Sequence, residues 1–369
     1  MEHVTMLNLK EQYESLYPEI DEAIQGVLDR QHFILGSECN LFEKEMELFL
    51  EDEVYATAVS SGTDALLLAL INAGIGPGDE VIVPDYSFFA TVECVLRLGA
   101  TPVFVDIEKD THNIDTNEIP FRITNNTKAI IPVHMEGRVC NMLNIRDIAE
   151  TYNLIIIEDA AQAVGAHYYS SLAGTIGDYG CFSFYPSKNL GAYGDAGMVI
   201  TPHEGSYSRM RMLRNHGQSL KYHTRILGGS FRMDEIQAAV LRVKLKHLND
   251  WNYVRFTKAC EYIKSFREAN VPVIWPKSSE HGMNIYHLFM IRSKNRDKIK
   301  QHLAENGIET EIHYPLPLHA HPVFRTYGFR DKDYPNACSA AEESLSLPIY
   351  PELPFETIYK IVELIKEVA

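Results

Sequence analysis

A lysine in an unusual setting is the first residue whose position suggests chemistry. Lys188 comes just after an apolar run, beside a proline and among glycines, in the segment FSFYPSKNLG at 182–191, which GDAG at 194–197 follows. Lysine is the usual residue for Schiff-base chemistry, because desolvation or a neighbouring cation lowers its pKa. Most lysines on loops are only solvated surface charges, so this segment alone leaves both interpretations open.

A carboxylate at the end of an apolar run is the second candidate. In IEDAAQA at 157–163, Asp159 falls at the predicted carboxyl edge of a sheet, where open α/β folds bind their ligands. Asp159 could be a buried helix cap. It could instead hold a cationic ring nitrogen, because a partly buried carboxylate is stable when a positive group accompanies it.

A turn of small residues before an apolar helix is the third candidate. The segment SSGTDAL at 60–66 stands between a predicted strand and a predicted helix. Small residues at a helix start expose backbone N–H groups, and the helix dipole favours an anion there. Taken alone, the segment is better described as a helix cap with a glycine turn.

Together, these three segments match the requirements of pyridoxal phosphate. That cofactor needs an anion site for its phosphate, a carboxylate that keeps the pyridine nitrogen protonated, and a lysine that bonds its aldehyde. The three segments follow one another along the chain in that order. An aromatic ring to stack on the pyridine should lie between the small-residue turn at 60–66 and the carboxylate segment at 157–163. There, PDYSFFAT at 84–91 offers Tyr86, Phe88 and Phe89, each of which could equally belong to the core.

The elements that must position these residues follow from the hydrophobic period. Strands are predicted at 54–59, 80–84, 102–107, 129–134, 154–159, 180–185 and 197–201, and helices at 64–73, 90–98, 145–152 and 206–215. Several of the strands are apolar throughout, as expected for strands covered on both faces. The alternation predicts an α/β fold in which a mostly parallel sheet lies between layers of helices.

The last third of the chain has a different pattern. Residues 233–266 contain no glycine or proline and predict one long helix. Apolar stretches at 285–291 and 308–314 flank a predicted helix at 296–305, and a closing helix is predicted at 355–367. This pattern predicts a small α+β domain attached to a long connecting helix.

With these segments in view, the chain closely resembles the DegT/DnrJ/EryC1/StrS sugar aminotransferases, which have the type I fold of pyridoxal-phosphate enzymes. The resemblance runs end to end and includes FILG at 33–36, SGTDAL at 61–66, GPGDEVIVP at 76–84, GATPVFVD at 99–106, PVH at 132–134, EDAAQ at 158–162 and FSFYPSKNLG at 182–191. It implies a large cofactor domain at 1–242, built on a seven-stranded sheet, and a smaller α+β domain at 243–369.

The resemblance also implies a role for each motif residue. Lys188 would bond the cofactor and carry the proton between cofactor and substrate carbons, and Asp159 would pair with the pyridinium. The remaining expected cofactor contacts are Gln162 at the phenolic oxygen, Phe88 stacked on the ring, and Gly62, Thr63 and Ser183 at the phosphate. Some related dehydratases have histidine in place of this lysine, so Lys188 favours a transaminase.

One position departs from the family pattern. The family usually has an asparagine, contributed by the neighbouring subunit to the cofactor phosphate, in the segment that here reads GGSFRM at 228–233. Ser230 aligns with that asparagine. A serine hydroxyl can still donate a hydrogen bond to phosphate, but its reach is shorter.

The substrate class also comes from resemblance. The segment QAAVLRVKLKHLNDWN at 237–252 is similar to the subgroup that aminates carbon 3 of nucleotide-linked, usually dTDP-linked, 3-keto-6-deoxyhexoses, although it also reads as an amphipathic helix. Glutamate is the expected donor, leaving as 2-oxoglutarate, in amino-sugar biosynthesis for O-antigen or polysaccharide. The alternatives are a 4-keto-sugar aminotransferase, a dehydratase, and a non-catalytic regulatory homologue. The candidates for substrate contact are Lys221, Tyr222, His313 and Tyr314, and a homodimer with shared active sites is expected.

The three histidines at 313–321 do not predict a metal site. His313, His319 and His321 lie close together in sequence, but no carboxylate or cysteine accompanies them at ligand spacing. We therefore expect no metal.

Composition excludes several other classes. The chain has 369 residues, 46% of them hydrophobic and 23% charged, and 34 basic against 50 acidic residues give a net charge of −16. Such a surface repels nucleic acid and anionic lipid, and no stretch is apolar enough to suggest a membrane span. The six cysteines are scattered without a CxxC pair, which predicts reduced thiols in a cytoplasmic protein.

Overall fold

The computed structural model describes residues 3–51, 53–279 and 281–369, and its largest element is a seven-stranded sheet. The strands are β1 (Tyr55–Val59), β2 (Glu80–Pro84), β3 (Thr101–Val105), β4 (Thr127–Ile130), β5 (Ile155–Asp159), β8 (Tyr179–Ser183) and β9 (Gly197–Thr201), with a short hairpin of β6 (His167–Tyr168) and β7 (Ser171–Leu172) after β5. Their order is β1-β9-β8-β5-β4-β2-β3, and β9 alone runs against the other six. The predicted α/β fold is confirmed.

The sheet is buried on both faces because its strands are apolar at successive positions. In β2, Ile82 belongs to one core cluster, whereas Val81 and Val83 belong to the other. Neighbouring residues of a strand point to opposite faces, so the two clusters are the two layers between sheet and helices. The layer that contains Val81 is covered by α3 (Gly62–Asn72), α4 (Ala90–Arg97) and α6 (Glu204–Leu213). The other is covered by α2 (Ser37–Phe49), α5 (Met142–Tyr152) and α7 (Glu235–Leu245).

The prediction of one long helix at 233–266 is wrong. The structure has two helices instead, α7 (Glu235–Leu245) and α8 (Leu248–Ala269), with the break at Lys246 and His247. No glycine or proline marks this break. Its physical reason is the packing, because α7 lies against α2 and α1 (Leu9–Arg30), whereas α8 lies against α11 (Phe355–Lys366).

The C-terminal part has its own core around α8. A two-stranded antiparallel sheet of β12 (Phe289–Arg292) and β13 (Ser344–Leu347) packs with α9 (Arg296–Glu305) and α11. A further helix, α10 (Pro335–Glu343), precedes β13. The apolar stretch at 285–291 contributes β12 at its end, and 308–314 contributes only isolated bridges at Ile308 and Glu311. The predicted α+β character is therefore present, although Val4 and Leu7 from the start of the chain also pack against this core.

A small hairpin of β10 (Gln218–Leu220) and β11 (His223–Thr224) projects between α6 and α7. Among the described helices, none combines the length and apolar character needed to cross a bilayer.

Candidate active site

One cavity gathers most of the residues that the sequence analysis identified. It has a volume of about 520 Å³ and lies at the carboxyl edge of the large sheet, between that sheet and the C-terminal part. Its wall includes Gly62, Thr63, Phe88, Asp159, Gln162, Ser183, Lys188, His313 and Tyr314. Parallel strands that end at one edge bring sequence-distant residues together, which is why motifs more than a hundred residues apart share this wall.

The beginning of α3 forms the anion-binding end of the cavity. Ser61 caps the helix by accepting a hydrogen bond from the backbone N–H of Asp64 at 3.1 Å. Gly62 lies so close to β8 that a Cβ placed on it would come within 2.7 Å of the Ser183 Cβ. Only glycine fits there, and its absence of a side chain leaves backbone N–H groups of the first turn accessible to a ligand.

Asp159 ends β5 with its carboxylate inside the cavity wall. Its Oδ2 accepts a hydrogen bond from the Thr91 hydroxyl at 2.8 Å, and its Oδ1 accepts one from the backbone N–H of Ala161 at 3.2 Å. Burial raises the pKa of Asp159, and these two hydrogen bonds together with the charge of Lys188 oppose the rise. A cationic ligand beside this carboxylate would stabilise its ionised form.

Lys188 follows β8 on a tight turn. Its backbone N–H donates to the carbonyl of Tyr185 at 2.8 Å, and a Cβ on Gly191 would come within 2.3 Å of the Pro186 carbonyl oxygen. The loss of hydration lowers the pKa of Lys188 to about 8, against the attraction of Asp159. An amine with this pKa is a far better nucleophile at neutral pH than a surface lysine.

Gln162 and Tyr314 join the two parts of the molecule across the cavity. The Nε2 of Gln162 donates to the Tyr314 hydroxyl at 3.2 Å, while its Oε1 accepts from the backbone N–H of Glu136 at 2.8 Å. The ring of Phe88 lies 6.1 Å from that of Tyr314, and Phe88 is 58% exposed, so its face is accessible from the cavity. This is the geometry expected of a ring that stacks on a planar ligand.

Two histidines complete the wall, and one of them was missed in the sequence. His313 was a candidate, and its Nδ1 lies 2.9 Å from the Ser346 hydroxyl. His287 lies at 3.3 Å from the Oδ1 of Asn189, the residue that follows Lys188. Burial and the charge of Lys188 lower the pKa of His287, and burial lowers that of His313. A polar residue inside the apolar stretch 285–291 was the signal that could have identified His287.

The donor set of the cavity fits pyridoxal phosphate. The first turn of α3 offers N–H groups to a phosphate, and Asp159 offers a buried carboxylate to a pyridinium. Lys188 offers an amine of lowered pKa to an aldehyde. The three groups belong to one wall.

Three candidate residues lie outside this cavity. Lys221 and Tyr222 are at the tip of the β10–β11 hairpin, where the ammonium of Lys221 lies 5.3 Å from the centre of the Tyr222 ring and the tyrosine is 83% exposed. The exposed Ser230 hydroxyl accepts a hydrogen bond from Arg232 at 2.7 Å. Their expected contacts with cofactor and substrate remain predictions.

The three histidines at 313–321 lie apart from one another in the structure. His321 packs on Phe89, whereas the Nδ1 of His319 lies 2.5 Å from Asp85 and its Nε2 lies 3.1 Å from Asp331. Contrary to the sequence argument, His319 does have an acidic and a cysteine neighbour, since Asp331 and Cys338 place ligand atoms within 4.8 Å of it and of each other. The two aspartates already pair both nitrogens of His319, so the structure does not require an ion there. The absence of a metal remains a prediction.

Comparison with known proteins agrees with this chemistry. The chain matches the sequence profile of the DegT/DnrJ/EryC1/StrS aminotransferase family over residues 14–366. It is 43% identical to a pleiotropic regulatory protein of Geobacillus stearothermophilus, over 99% of this chain and 98% of that protein. It is 41% identical to the dTDP-3-amino-3,4,6-trideoxy-alpha-D-glucose transaminase of Streptomyces venezuelae, over 99% of this chain and 96% of that protein. The crystal structure of S. venezuelae DesV in complex with a ketimine intermediate superposes with a TM-score of 0.96 at 41% identity, covering 100% of this chain and 98% of that chain.

Proposed function

The chain belongs to the DegT/DnrJ/EryC1/StrS aminotransferase family and is a pyridoxal-phosphate-dependent enzyme; on that premise we propose that it transfers the amino group of glutamate to carbon 3 of a nucleotide-linked 3-keto-6-deoxyhexose. The expected nucleotide is dTDP, and the product is a 3-amino sugar. The alternative is amination of a 4-keto-6-deoxyhexose at carbon 4.

The observation that carries the proposal is the presence of three groups in one wall. The amine of Lys188, the carboxylate of Asp159 and the start of α3 line the same cavity. In a dehydratase of this family a histidine would replace the lysine, and a regulatory homologue would have no need of an amine with a pKa of about 8.

Each of the predicted site residues has its own role in the proposed reaction. Bound pyridoxal phosphate supplies an electron sink for a carbanion at the carbon that carries the amino group. In our proposal, the Nζ of Lys188 would carry the proton between that carbon and the cofactor carbon, which requires an amine that is neutral for part of the time near pH 8. The Asp159 carboxylate would accept a hydrogen bond from the ring nitrogen and keep it protonated. Gln162 and Phe88 would hold the ring in position, and Gly62, Thr63 and Ser183 would hold the phosphate.

The preference for carbon 3 rests on the segment 237–252 and on the name of a relative. That segment spans α7 and the start of α8, and Asn252 within it accepts a hydrogen bond at 2.8 Å from Asn189, the residue next to Lys188. One relative at 41% identity is a dTDP-3-amino-sugar transaminase. A segment that contacts the lysine loop in this way could influence which substrate carbon faces Lys188.

We propose that a second copy of the chain completes the site. The β10–β11 hairpin and Ser230 are exposed, and they carry a cation, hydroxyls and an aromatic ring that serve nothing in their own cavity. In a homodimer Lys221 and Tyr222 would reach the sugar diphosphate, and Ser230 would reach the cofactor phosphate, while His313 and Tyr314 contact the sugar from within the chain. A division into domains at 1–242 and 243–369 and a cytoplasmic location belong to the same proposal.

The decisive experiment separates the two half-reactions. Glutamate should remove the visible absorbance of the lysine-bound cofactor, and a nucleotide-linked 3-keto-6-deoxyhexose should restore it, whereas the 4-keto isomer should not. Lys188→Ala should lack both changes, and the matched control Lys294→Ala, at an exposed lysine, should retain them. Faster restoration by the 4-keto sugar would select the alternative. Failure of every amino donor to change the absorbance would reject an aminotransferase altogether.

A further inference from the structure

A chain of side-chain amides holds His287, one of the two histidines in the wall of the active-site cavity. The Nδ1 of His287 lies 3.3 Å from the Oδ1 of Asn189, and the Nδ2 of Asn189 donates to the Oδ1 of Asn252 at 2.8 Å. Both asparagines are buried, with only 4% and 1% of their surface exposed. Buried polar groups satisfy their hydrogen bonds within the protein, so the orientation of each amide follows from its partners.

Two backbone carbonyl groups determine how both amides are oriented. The Nδ2 of Asn252 donates to the carbonyl of Val164 at 3.0 Å, which leaves its Oδ1 as the acceptor toward Asn189. The Nδ2 of Asn189 also donates to the carbonyl of Ile285 at 3.2 Å. Because a carbonyl oxygen can only accept, flipping either amide would place oxygen against oxygen. Asn189 therefore presents its Oδ1 to His287, and the Nδ1 of His287 must be the donor.

The second ring nitrogen of His287 is consequently an acceptor. Burial, and after it the positive charge of Lys188, lower the pKa of His287 well below its ordinary value, so the ring is neutral and carries a single proton. That proton is on Nδ1, which leaves a lone pair on Nε2. Nε2 has no partner among the described residues, and it is not among the polar atoms that are buried without one. Since His287 lines the cavity, the lone pair is available to a ligand there.

Most groups of the proposed reactants cannot donate to such an acceptor. The cofactor phosphate and the carboxylates of glutamate are themselves acceptors. The pyridinium N–H of the cofactor has Asp159 as its expected partner, the phenolic oxygen has Gln162, and the amino group of glutamate reacts at the cofactor. The hydroxyl groups of the keto sugar remain, because each carries a hydrogen that it can donate.

We propose that the Nε2 of His287 accepts a hydrogen bond from the sugar hydroxyl next to the keto carbon, which makes His287 a specificity-determining residue. This inference rests on the proposed function, because a keto sugar must enter the cavity. The reacting carbon must approach Lys188, and His287 lies beside it, since its partner Asn189 directly follows Lys188 and the charge of Lys188 acts on the ring. Asn189 and Asn252 do not line the cavity and are positioning residues that fix the tautomer of His287.

Two amide substitutions of His287 separate the roles of its two nitrogens. A glutamine side chain places its oxygen near the position of Nε2, whereas an asparagine side chain reaches only as far as Nδ1. His287→Gln should keep kcat/KM for the keto sugar within about threefold of wild type, whereas His287→Asn should lower it about tenfold. The values for glutamate, which has no hydroxyl, should change less than about threefold in both variants.

The control for these variants is a histidine away from the cavity. The Nε2 of His302, in α9, lies 2.9 Å from a carboxylate oxygen of Glu367, and His302→Asn should match the wild type with both substrates. Equal losses in His287→Gln and His287→Asn would overturn the proposal. A loss that falls on glutamate and spares the sugar would overturn it as well.

Keto sugars that lack one hydroxyl test the hydrogen bond itself. Two analogues are needed, each without the hydroxyl on one of the carbons that adjoin the carbonyl. With one of them, wild type and His287→Asn should have equal kcat/KM, because the bond is then absent from both reactions. If His287→Asn still costs about tenfold with both analogues, Nε2 binds another group and the proposal is wrong.

The tautomer can be measured without any substrate. In the cofactor-loaded protein labelled with ¹⁵N at histidine, NMR shifts of the ring nitrogens distinguish protonated from unprotonated nitrogen, and the spectrum of His287→Gln identifies the signals of His287. Near neutral pH only Nδ1 should carry a proton, and Asn189→Ala should show both tautomers. A wild-type enzyme that uses no keto sugar would reject the proposed function and the sugar contact with it. A proton on Nε2 in an active enzyme would overturn the contact alone.

Discussion

The chemistry of the active site depends first on the coupling between two side chains, Lys188 and Asp159. Burial acts on them in opposite directions, because it raises the pKa of the carboxyl and lowers that of the ammonium to about 8. Each charge also stabilises the other across the cavity. Lys188 therefore keeps the carboxyl closer to its ionised form, whereas desolvation, against the attraction of Asp159, makes Lys188 an amine that is easily made neutral.

Replacing Asp159 should change the titration of Lys188 in the cofactor-free protein. Asp159 is the group that raises the lysine pKa against desolvation, so Asp159→Asn should move that pKa below about 8. Competitive labelling with acetic anhydride, followed by mass spectrometry of the peptide that contains Lys188, measures the midpoint. The exposed Lys294 in the same sample serves as an internal reference. A midpoint that stays near 8 or rises in the variant would contradict the coupling.

At the scale of elements, the contact between α3 and β8 decides whether the phosphate can approach. In Gly62→Ala the new Cβ would lie 2.7 Å from the Ser183 Cβ, so the helix start must move away from the strand. We expect pyridoxal phosphate to bind at least about tenfold more weakly, and overpacking of this kind costs about 1–3 kcal/mol of stability. An absorbance titration with the cofactor and a thermal melt measure the two effects.

A glycine in an open position is the control for this substitution. Gly205 lies in the first turn of α6, and a Cβ there would meet no heavy atom within 4 Å. Gly205→Ala should leave cofactor affinity unchanged and leave stability equal or slightly higher, because alanine favours the helix. If Gly62→Ala bound the cofactor as tightly as Gly205→Ala, the role assigned to the start of α3 would be wrong.

The elements also show how far the sequence predicts the structure. All seven strands of the large sheet were predictable to within a few residues, because apolar β-branched runs such as Ile155–Asp159 have no other stable position than a buried sheet. The break between α7 and α8 was not predictable, because it results from the different packing partners of the two helices and not from a local sequence signal. Helices α1, α2 and α10 were likewise not identified.

In the active site, too, residues with a local sequence signal were predictable, and residues placed by tertiary packing were not. Gly62, Asp159 and Lys188 were predictable because each lies at the end of a strand of one sheet or within a few residues after it. His287 belongs to a distant segment that reaches the cavity only through tertiary packing.

At the scale of the whole molecule, the net charge of −16 opposes the ligands that the site must bind. Both the cofactor and a nucleotide-linked sugar carry phosphates. Attraction must therefore come from short-range contacts, namely the start of α3 and, in the proposed dimer, Lys221 of the second copy. Long-range repulsion and short-range attraction respond differently to salt, because the Debye length falls from about 30 Å at 0.01 M to about 10 Å at 0.1 M.

Moderate salt should therefore favour binding of the nucleotide sugar. Between 10 and 100 mM potassium gluconate, kcat/KM for the sugar should rise about two- to threefold while kcat stays constant, because screening weakens the repulsion before it reaches the contacts inside the cavity. Steady-state kinetics with glutamate as the varied substrate provide the comparison, and the smaller charge of glutamate should give a smaller rise. A fall in kcat/KM over this range would mean that local cations dominate even at long distance, and that the overall charge does not govern how the substrate approaches.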